Sequence, residues 1–170
     1  IVYAGELSRV EAIQNAAKAT VYGFQGAIEA RLIPRLFVTV RYNYQIGEEE
    51  LDDGTTYPSR HAAPSFGQAY LSWRASRLTL QAGMEFMGQK DFDELPPEEQ
   101  AKDYLYAIDA EGKPYSPSWT VFNVKSMYKI SKNLVASLGV ENITDVRYRP
   151  YSSGICAAGR NFVLSFRAGF

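Results

Sequence analysis

The chain has 170 residues, with 18 Lys plus Arg against 19 Asp plus Glu, so its formal net charge is −1. This balance argues against a nucleic-acid binder, which carries a basic surplus. No apolar run approaches the roughly 18–20 residues that a membrane helix needs, so any bilayer contact has to come from a barrel.

Seven segments alternate apolar and polar residues with the period of two that is typical of a β-strand. The predicted strands cover residues 20–32, 36–46, 68–75, 79–86, 120–130, 134–141 and 161–170. The chain opens on Ile1-Val2-Tyr3, which we interpret as the end of an eighth strand, and residues Ala4–Asn15 are expected to form a loop. No signal peptide heads the sequence, so we expect targeting and N-terminal domains upstream.

The connections between these strands alternate in length along the chain. Short turns are expected at Pro34-Arg35, Ser76-Arg77 and Lys132-Asn133, and long polar connections at 47–65, 88–117 and 142–160. Every short turn therefore falls at one end of the sheet and every long loop at the other. Outer-membrane barrels have this asymmetry, and strands of about 9–13 residues suit a tilted crossing of the bilayer.

Aromatic residues on the apolar faces cluster near both strand ends, with aliphatic residues between them. This is the arrangement expected of two aromatic girdles at the interfaces of a membrane. Those nearest the long loops are Tyr22, Phe24, Tyr42, Tyr44, Phe86, Phe122 and Phe162, and those nearest the short turns or the terminus are Trp73, Tyr128 and Phe170. The fold class predicted is all-β, an antiparallel up-and-down transmembrane β-barrel.

Two other barrels share the alternation. The strands of a soluble lipocalin-type carrier also alternate apolar and polar residues, but the apolar face is enclosed inside the barrel. The second alternative is a small outer-membrane protein whose barrel consists of only eight strands. An outer-membrane enzyme is the third alternative, but His61 is the only histidine and no Gly-x-Ser-x-Gly elbow is present. We therefore expect no enzyme, no cofactor and no multi-histidine metal site.

The acidic runs of the long loops are expected to be solvated. They comprise Glu48–Glu50, Asp52-Asp53, and the group Asp91, Asp93, Glu94, Glu98 and Glu99, whose spacing matches no calcium loop. In the last loop, Arg147, Arg149 and Arg160 are candidates to face an anionic ligand or a lipopolysaccharide phosphate, although pairing with loop carboxylates is the simpler reading. Cys156 reads as an unpaired loop residue.

The C-terminal part of the chain resembles the end of TonB-dependent outer-membrane receptors. The shared features are Glu141-Asn142-Ile143-Thr144-Asp145, Arg147-Tyr148, Gly159-Arg160-Asn161-Phe162 and the final Phe170. The Tyr22-Gly23-Phe24 segment and the stretch Tyr115–Trp119 fit the same family. The resemblance extends over essentially the whole chain and is most specific in the last 37 residues.

The resemblance implies that residues 1–170 form the last seven to eight strands of a 22-stranded barrel. Closure of the isolated fragment as a small barrel is the alternative left open. The plug and the TonB-contacting box would lie outside the chain. The implied function is multi-pass, TonB-coupled import across a Gram-negative outer membrane, with an iron chelate, haem, cobalamin or a glycan as ligand. The final strand, with Phe162, Leu164, Phe166 and Phe170, would be the signal read by the barrel assembly machinery.

Overall fold

A computed structural model describes residues 2–3, 6–7 and 18–169. Seven long strands follow one another as antiparallel neighbours in a single meandering sheet. They are β1 (Lys18–Ile33), β2 (Leu36–Glu50), β3 (Phe66–Arg74), β4 (Leu78–Met87), β5 (Trp119–Lys129), β6 (Leu134–Glu141) and β7 (Asn161–Ala168). The seven strands predicted from the alternation are confirmed.

The sheet is open in the part of the chain that the structure describes. β1 and β7 are its two edges, and the ladder runs from one to the other without a pairing that would close it. The predicted eighth strand is present only as Val2–Tyr3, which pairs with Glu6–Leu7 in a hairpin of its own. The expectation of a plain loop over residues 4–15 is therefore wrong at Glu6–Leu7.

Three long loops leave the same end of the sheet. Loop A (residues 51–65) contains a short strand, Thr56–Pro58, that pairs with the end of β2. Loop B (residues 88–118) contains the 3₁₀ turn Phe92–Glu94, the one-turn helix Pro97–Gln100 and the hairpin of Ala107–Ile108 with Pro114–Tyr115. Loop C (residues 142–160) connects β6 to β7.

The two faces of the sheet differ in chemistry. The apolar face carries Val40, Val124 and Leu164, which are 39%, 43% and 65% exposed, so no protein core covers it. A closed soluble carrier would enclose this same face. Arg41, Lys125 and Arg167 on the opposite, polar face are exposed as well, because the sheet is a single layer.

Polar groups of neighbouring strands bond to one another on the polar face. The Tyr70 hydroxyl donates to the Glu85 carboxylate, which also accepts from Asn123 Nδ2 at 3.2 Å. Lys125 Nζ lies 3.0 Å from Glu141 Oε1. The ring of Tyr70 lies across Gly83, where a Cβ would come within 2.3 Å of it, so this cross-strand contact requires glycine.

The strand side chains that are buried also lie on the polar face. Ser72, Val121 and Asn123 are 3%, 3% and 7% exposed. Near its loop end this face is covered by loop C, whose Tyr148 ring packs at a tilt against the ring of Trp119, with ring centroids 4.2 Å apart. The polar face is therefore the inner side of the sheet, and the long loops fold over it.

Candidate functional site

A fully buried carboxylate joins loops A and B. Glu99, in the one-turn helix, has 0% exposure. Its Oε1 lies 2.7 Å from Arg60 Nε of loop A and 2.9 Å from Lys102 Nζ, and its Oε2 accepts the Tyr106 hydroxyl at 2.5 Å. Charge and hydrogen bonds on both oxygens offset the cost of removing this carboxylate from water.

The pKa values of this cluster favour the charged carboxylate and the neutral phenol. Burial alone raises the pKa of Glu99, but the Tyr106 hydroxyl, Lys102 and Arg60 outweigh it and hold that pKa below its ordinary value. Burial and the adjacent Glu99 raise the pKa of Tyr106 well above its usual range. At neutral pH the cluster is therefore an ionised carboxylate with two cations and one hydroxyl donor.

Lys90 extends the contact between loops to loop C. The residue is 7% exposed, and its ammonium donates to the Ala62 carbonyl of loop A at 2.6 Å and lies 4.7 Å from the centre of the Tyr151 ring of loop C. Burial lowers the pKa of Lys90. Arg149 of loop C donates in turn to the carbonyls of Tyr104 and Leu105 at 3.1 and 3.0 Å. The three loops thus form one connected cap.

Two residues of the Glu-Asn-Ile-Thr-Asp segment shape the start of loop C. Asn142 is 4% exposed, and its amide donates to the carbonyls of Val146 (2.8 Å) and Ala158 (3.2 Å) and accepts from the Val146 amide (2.9 Å). Asp145 accepts from the backbone amide of Arg160 at 2.7 Å. Both adopt a positive φ, which Asn and Asp tolerate better than most residues. This motif is therefore the scaffold of loop C.

A cleft of about 350 Å³ lies between loops B and C. Residues from both loops and from the start of β5 line it, among them Tyr106, Trp119, Arg147, Tyr148, Arg149 and Cys156. Two guanidinium groups and four aromatic side chains, the fourth being Tyr104, line its wall and suit an anionic ligand with flat or apolar parts. Tyr148 also borders a smaller polar pocket beside Asn123 and Glu141, on the inner face of the sheet.

The positive charge of the cleft affects the ionisation of the Cys156 thiol. The neighbouring guanidinium groups of Arg149 and Arg147 lower the pKa of Cys156, which is exposed. A thiol beside two guanidinium groups ionises more readily because its thiolate is stabilised by positive charge. The cleft therefore favours a negative charge at this position.

The structure separates the three arginines proposed to face a ligand. Arg147 is exposed at the cleft and Arg149 lines it while donating to loop B carbonyls. Arg160 lies at the base of loop C, where its Nε donates to the Ile143 carbonyl at 2.9 Å. Among residues 18–169 none of the three is within 4.0 Å of a carboxylate, so the expected pairing with loop carboxylates is absent from this part of the chain.

The proposed girdle residues lie on the apolar face. Those that are exposed range from 38% to 64%, and they are Tyr22, Phe24, Tyr42, Tyr44, Phe122, Trp73 and Tyr128. Phe86 is half-buried and stacks on Tyr42 at 6.4 Å. In β7, Phe162, Leu164 and Phe166 are exposed, whereas Phe170 lies outside the described residues. Their roles at the membrane and in assembly stay predictions.

Glu99 is the functional residue that the sequence reading missed. It was grouped with solvated loop carboxylates, and that is wrong, because Arg60, Lys102 and Tyr106 enclose it. Its partners lie up to 39 positions away, so no local sequence pattern marks it. Among its neighbours, only the apolar residues Leu95 and Pro96, both buried, indicate that this segment is buried.

No described helix is both long and apolar enough to cross a membrane. Among residues 2–3, 6–7 and 18–169, no three His, Cys, Asp or Glu side chains gather as a metal site.

The fold and its loop end define a class of protein. A meander of long antiparallel strands, with short turns at one end, large loops at the other and an exposed apolar face, is part of an outer-membrane-type β-barrel. The family model described as "TonB dependent receptor-like, beta-barrel" matches residues 4–143. The chain belongs to the TonB-dependent receptor β-barrel family.

Solved structures support the same fold. The copper transporter OprC superposes with a TM-score of 0.71 at 14% identity, covering 89% of this chain and 23% of OprC. A variant of the ferric enterobactin receptor PfeA from Pseudomonas aeruginosa has a TM-score of 0.67 at 20% identity, with coverages of 92% and 23%. The siderophore receptor PiuA from Acinetobacter baumannii has a TM-score of 0.57 at 18% identity, with coverages of 88% and 22%.

The chain spans about a quarter of the length of these structures, and at such identities the likeness is one of fold. None of the curated proteins compared with the chain matches it.

Proposed function

We propose that residues 1–170 form the C-terminal part of a larger, 22-stranded outer-membrane barrel whose plug lies outside this chain. The open edges of β1 and β7 support this, because every backbone polar group inside a bilayer has to be bonded and only a closed ladder does so. The exposed apolar face would contact lipid, with lipopolysaccharide at the loop end. The barrel assembly machinery would read the final strand.

The proposed activity is energy-coupled import of a scarce ligand, with no bond-breaking chemistry. The family consists of TonB-dependent receptors, and the cleft between loops B and C carries the proposal for ligand binding. Its two guanidinium groups and aromatic walls favour an anionic ligand, and a negatively charged iron chelate fits this description better than cationic or neutral cargo. Arg147 is more available to such a ligand than Arg149, because the guanidinium of Arg149 already donates to the backbone carbonyls of Tyr104 and Leu105 in loop B.

Uptake by cells tests the transport proposal. Cells that depend on the full-length protein are given radiolabelled ferric citrate, a ferric tricatecholate, haem, cobalamin or a glycan, with and without a protonophore. We expect surface binding of an anionic ferric chelate in both conditions, and accumulation only without the protonophore. Accumulation that persists in de-energised cells would contradict TonB coupling, and uptake of only neutral ligands would contradict the anionic assignment.

A substitution in the cleft tests the site. Arg147→Gln removes one guanidinium while leaving the carbonyl contacts of Arg149 intact. A hydrogen bond to a charged group is worth about 1.5–3 kcal/mol, so the affinity for the ferric chelate identified above should fall about tenfold or more. Lys113→Gln, which removes an exposed loop cation outside the cleft, is the control and should change the affinity little. Equal affinities for the two variants would place the site elsewhere.

A further inference from the structure

The short-turn end of the sheet carries an unusually one-sided charge. Its segments are residues 31–37, 72–80, 127–136 and 165–169, which we call the short-turn rim. They contain seven basic residues and no Asp or Glu, and the seven are Arg31, Arg35, Arg74, Arg77, Lys129, Lys132 and Arg167. All seven are exposed. The acidic residues of the long loops lie at the other end of the sheet.

Backbone hydrogen bonds place these charges side by side. The Arg74 amide donates to the Arg35 carbonyl at 2.7 Å, and the Lys129 amide donates to the Arg77 carbonyl at 2.8 Å. The third turn is joined to β7 in the same way, through the Gly169 amide and the Asn133 carbonyl at 2.9 Å. Each turn therefore lies against the end of the next hairpin, and the rim is continuous along the sheet.

Almost none of this charge is neutralised within the described residues. Within residues 18–169, the ion pair found at the rim joins Arg74 to Glu29 at 3.5 Å, with both side chains largely exposed. Arg74 also lies 4.2 Å above the ring of Phe37. Successive short turns are two strands apart in the sheet, a separation of roughly 10 Å, which is close to the Debye length of about 8–10 Å, so the fields of their cations add.

The position of the rim next to aromatic residues indicates its partner. Trp73 and Tyr128 are exposed on the apolar face, each one position before a rim cation, Arg74 or Lys129. Tryptophan and tyrosine favour the headgroup level of a bilayer. The turn residues Arg35, Arg77 and Lys132 extend beyond that level, where phospholipid phosphates lie.

We propose that the short-turn rim binds anionic phospholipid headgroups of the leaflet on that side of the membrane. The inference rests on the proposed membrane function. The three turn cations contact phosphate directly, while the inner-face cations Arg31, Arg74, Lys129 and Arg167 strengthen the local positive potential. Phosphatidylglycerol and cardiolipin provide the required net negative charge, whereas zwitterionic lipids do not.

Native mass spectrometry of the full-length, detergent-solubilised protein tests this. The protein is titrated with phosphatidylglycerol or with phosphatidylcholine of the same acyl chains, and the bound lipids are counted. Because a basic residue near an anionic surface contributes about fivefold in affinity at low salt, we expect a clear preference for phosphatidylglycerol. Arg77→Gln/Lys132→Gln should reduce that preference at least about fivefold. High salt should reduce it in the wild type.

The matched control is Lys18→Gln/Lys113→Gln, which removes two exposed cations at the long-loop end. It should keep the wild-type preference. Equal binding of both lipids by the wild type, or the same preference in the two double variants, would overturn the inference. Loss of binding to a polyglutamate peptide, with the lipid preference unchanged, would overturn it in favour of an acidic protein partner. Failure of the protein to insert into vesicles would refute the membrane proposal itself. Insertion without a lipid preference would refute only the binding of anionic lipids by the short-turn rim.

Discussion

Arg60 of loop A forms a 2.7 Å ion pair with Glu99 of loop B, a carboxylate with no solvent-exposed surface. The pair joins the two loops directly through their side chains, alongside the bond from Lys90 to the Ala62 carbonyl, and Glu99 is also bonded to Tyr106, which lines the cleft. The position of the loop B wall of the cleft therefore depends on a residue that does not itself line the cleft.

Glu99→Gln should loosen loop B without unfolding the sheet. The amide cannot balance the charges of Arg60 and Lys102, and breaking a buried hydrogen-bonded group costs about 1–3 kcal/mol. The measurement is hydrogen exchange of the loop B amides, in particular Lys102 and Leu105, whose amides donate within the loop. Glu98→Gln changes the adjacent exposed carboxylate and is the control. Equal protection in the two variants would show that Glu99 does not hold the loop.

The same contacts should make the loops sensitive to acid. The folded pKa of Glu99 lies below its ordinary value of 4.5, so its stabilising effect is present above about that pH and is lost as the pH falls through the folded pKa. Tyr151 contributes no charge near neutrality, because its pKa is raised to about 12. Exchange protection of loop B should therefore be constant from pH 7 to 5 and should fall as the pH drops below 4.5 toward the folded pKa.

Glu99→Gln provides the control for this titration, since it removes the titrating group. Its loop B protection should be lower throughout and should lack the acid transition. A transition of the same size in the variant would assign the pH dependence to another group.

Cys156 should react as a thiolate closer to neutral pH than an ordinary cysteine. Arg149 and Arg147 lower its pKa, so a larger fraction is ionised at pH 7. The rate of alkylation by iodoacetamide against pH gives the apparent pKa. Arg147→Gln should move the midpoint upward, and Lys113→Gln should leave it unchanged. A midpoint at or above the ordinary value in the wild type would contradict the positive potential of the cleft.

The two faces of β6 should respond oppositely to a new charge. Leu138 is 55% exposed on the apolar face, and Ser137 is its neighbour on the polar face. An arginine facing the middle of a bilayer costs about 2–4 kcal/mol in an outer-membrane barrel. Leu138→Arg should lower the free energy of folding into vesicles by about this amount, and Ser137→Arg should have a much smaller effect. If both substitutions lowered the free energy of folding by a comparable amount, the apolar face would not be the one that contacts lipid.

The strand order and the loop asymmetry could be predicted because they are local properties. Alternation with a period of two identifies a strand wherever one face is apolar, as between Thr120 and Ile130, and short turns fix which strands are neighbours. The end of β2 was placed too early, at Ile46 instead of Glu50. Residues 47–50 carry no apolar alternation and are held in the sheet by pairing with β1 and with loop A.

The cap of loops could not be predicted, because its contacts join residues distant in the sequence. The pair of Arg60 with Glu99 and the contact of Lys90 with Tyr151 each connect different loops, and no motif spans such separations. The Asn142 and Asp145 positions were identified through family resemblance, but their role as the scaffold of loop C became clear only from their hydrogen bonds.

The orientation of the two sheet faces is the central claim, and spin labels placed singly at positions 134–140 of β6 test it most directly. The experiment uses the full-length protein in vesicles with Cys156 replaced by serine. At Leu134, Ala136, Leu138 and Val140 we expect high accessibility to membrane-dissolved oxygen and low accessibility to a water-soluble nickel reagent, and the reverse at Val135, Ser137 and Gly139. An oscillation of the opposite phase, or nickel accessibility at all seven positions, would contradict the account.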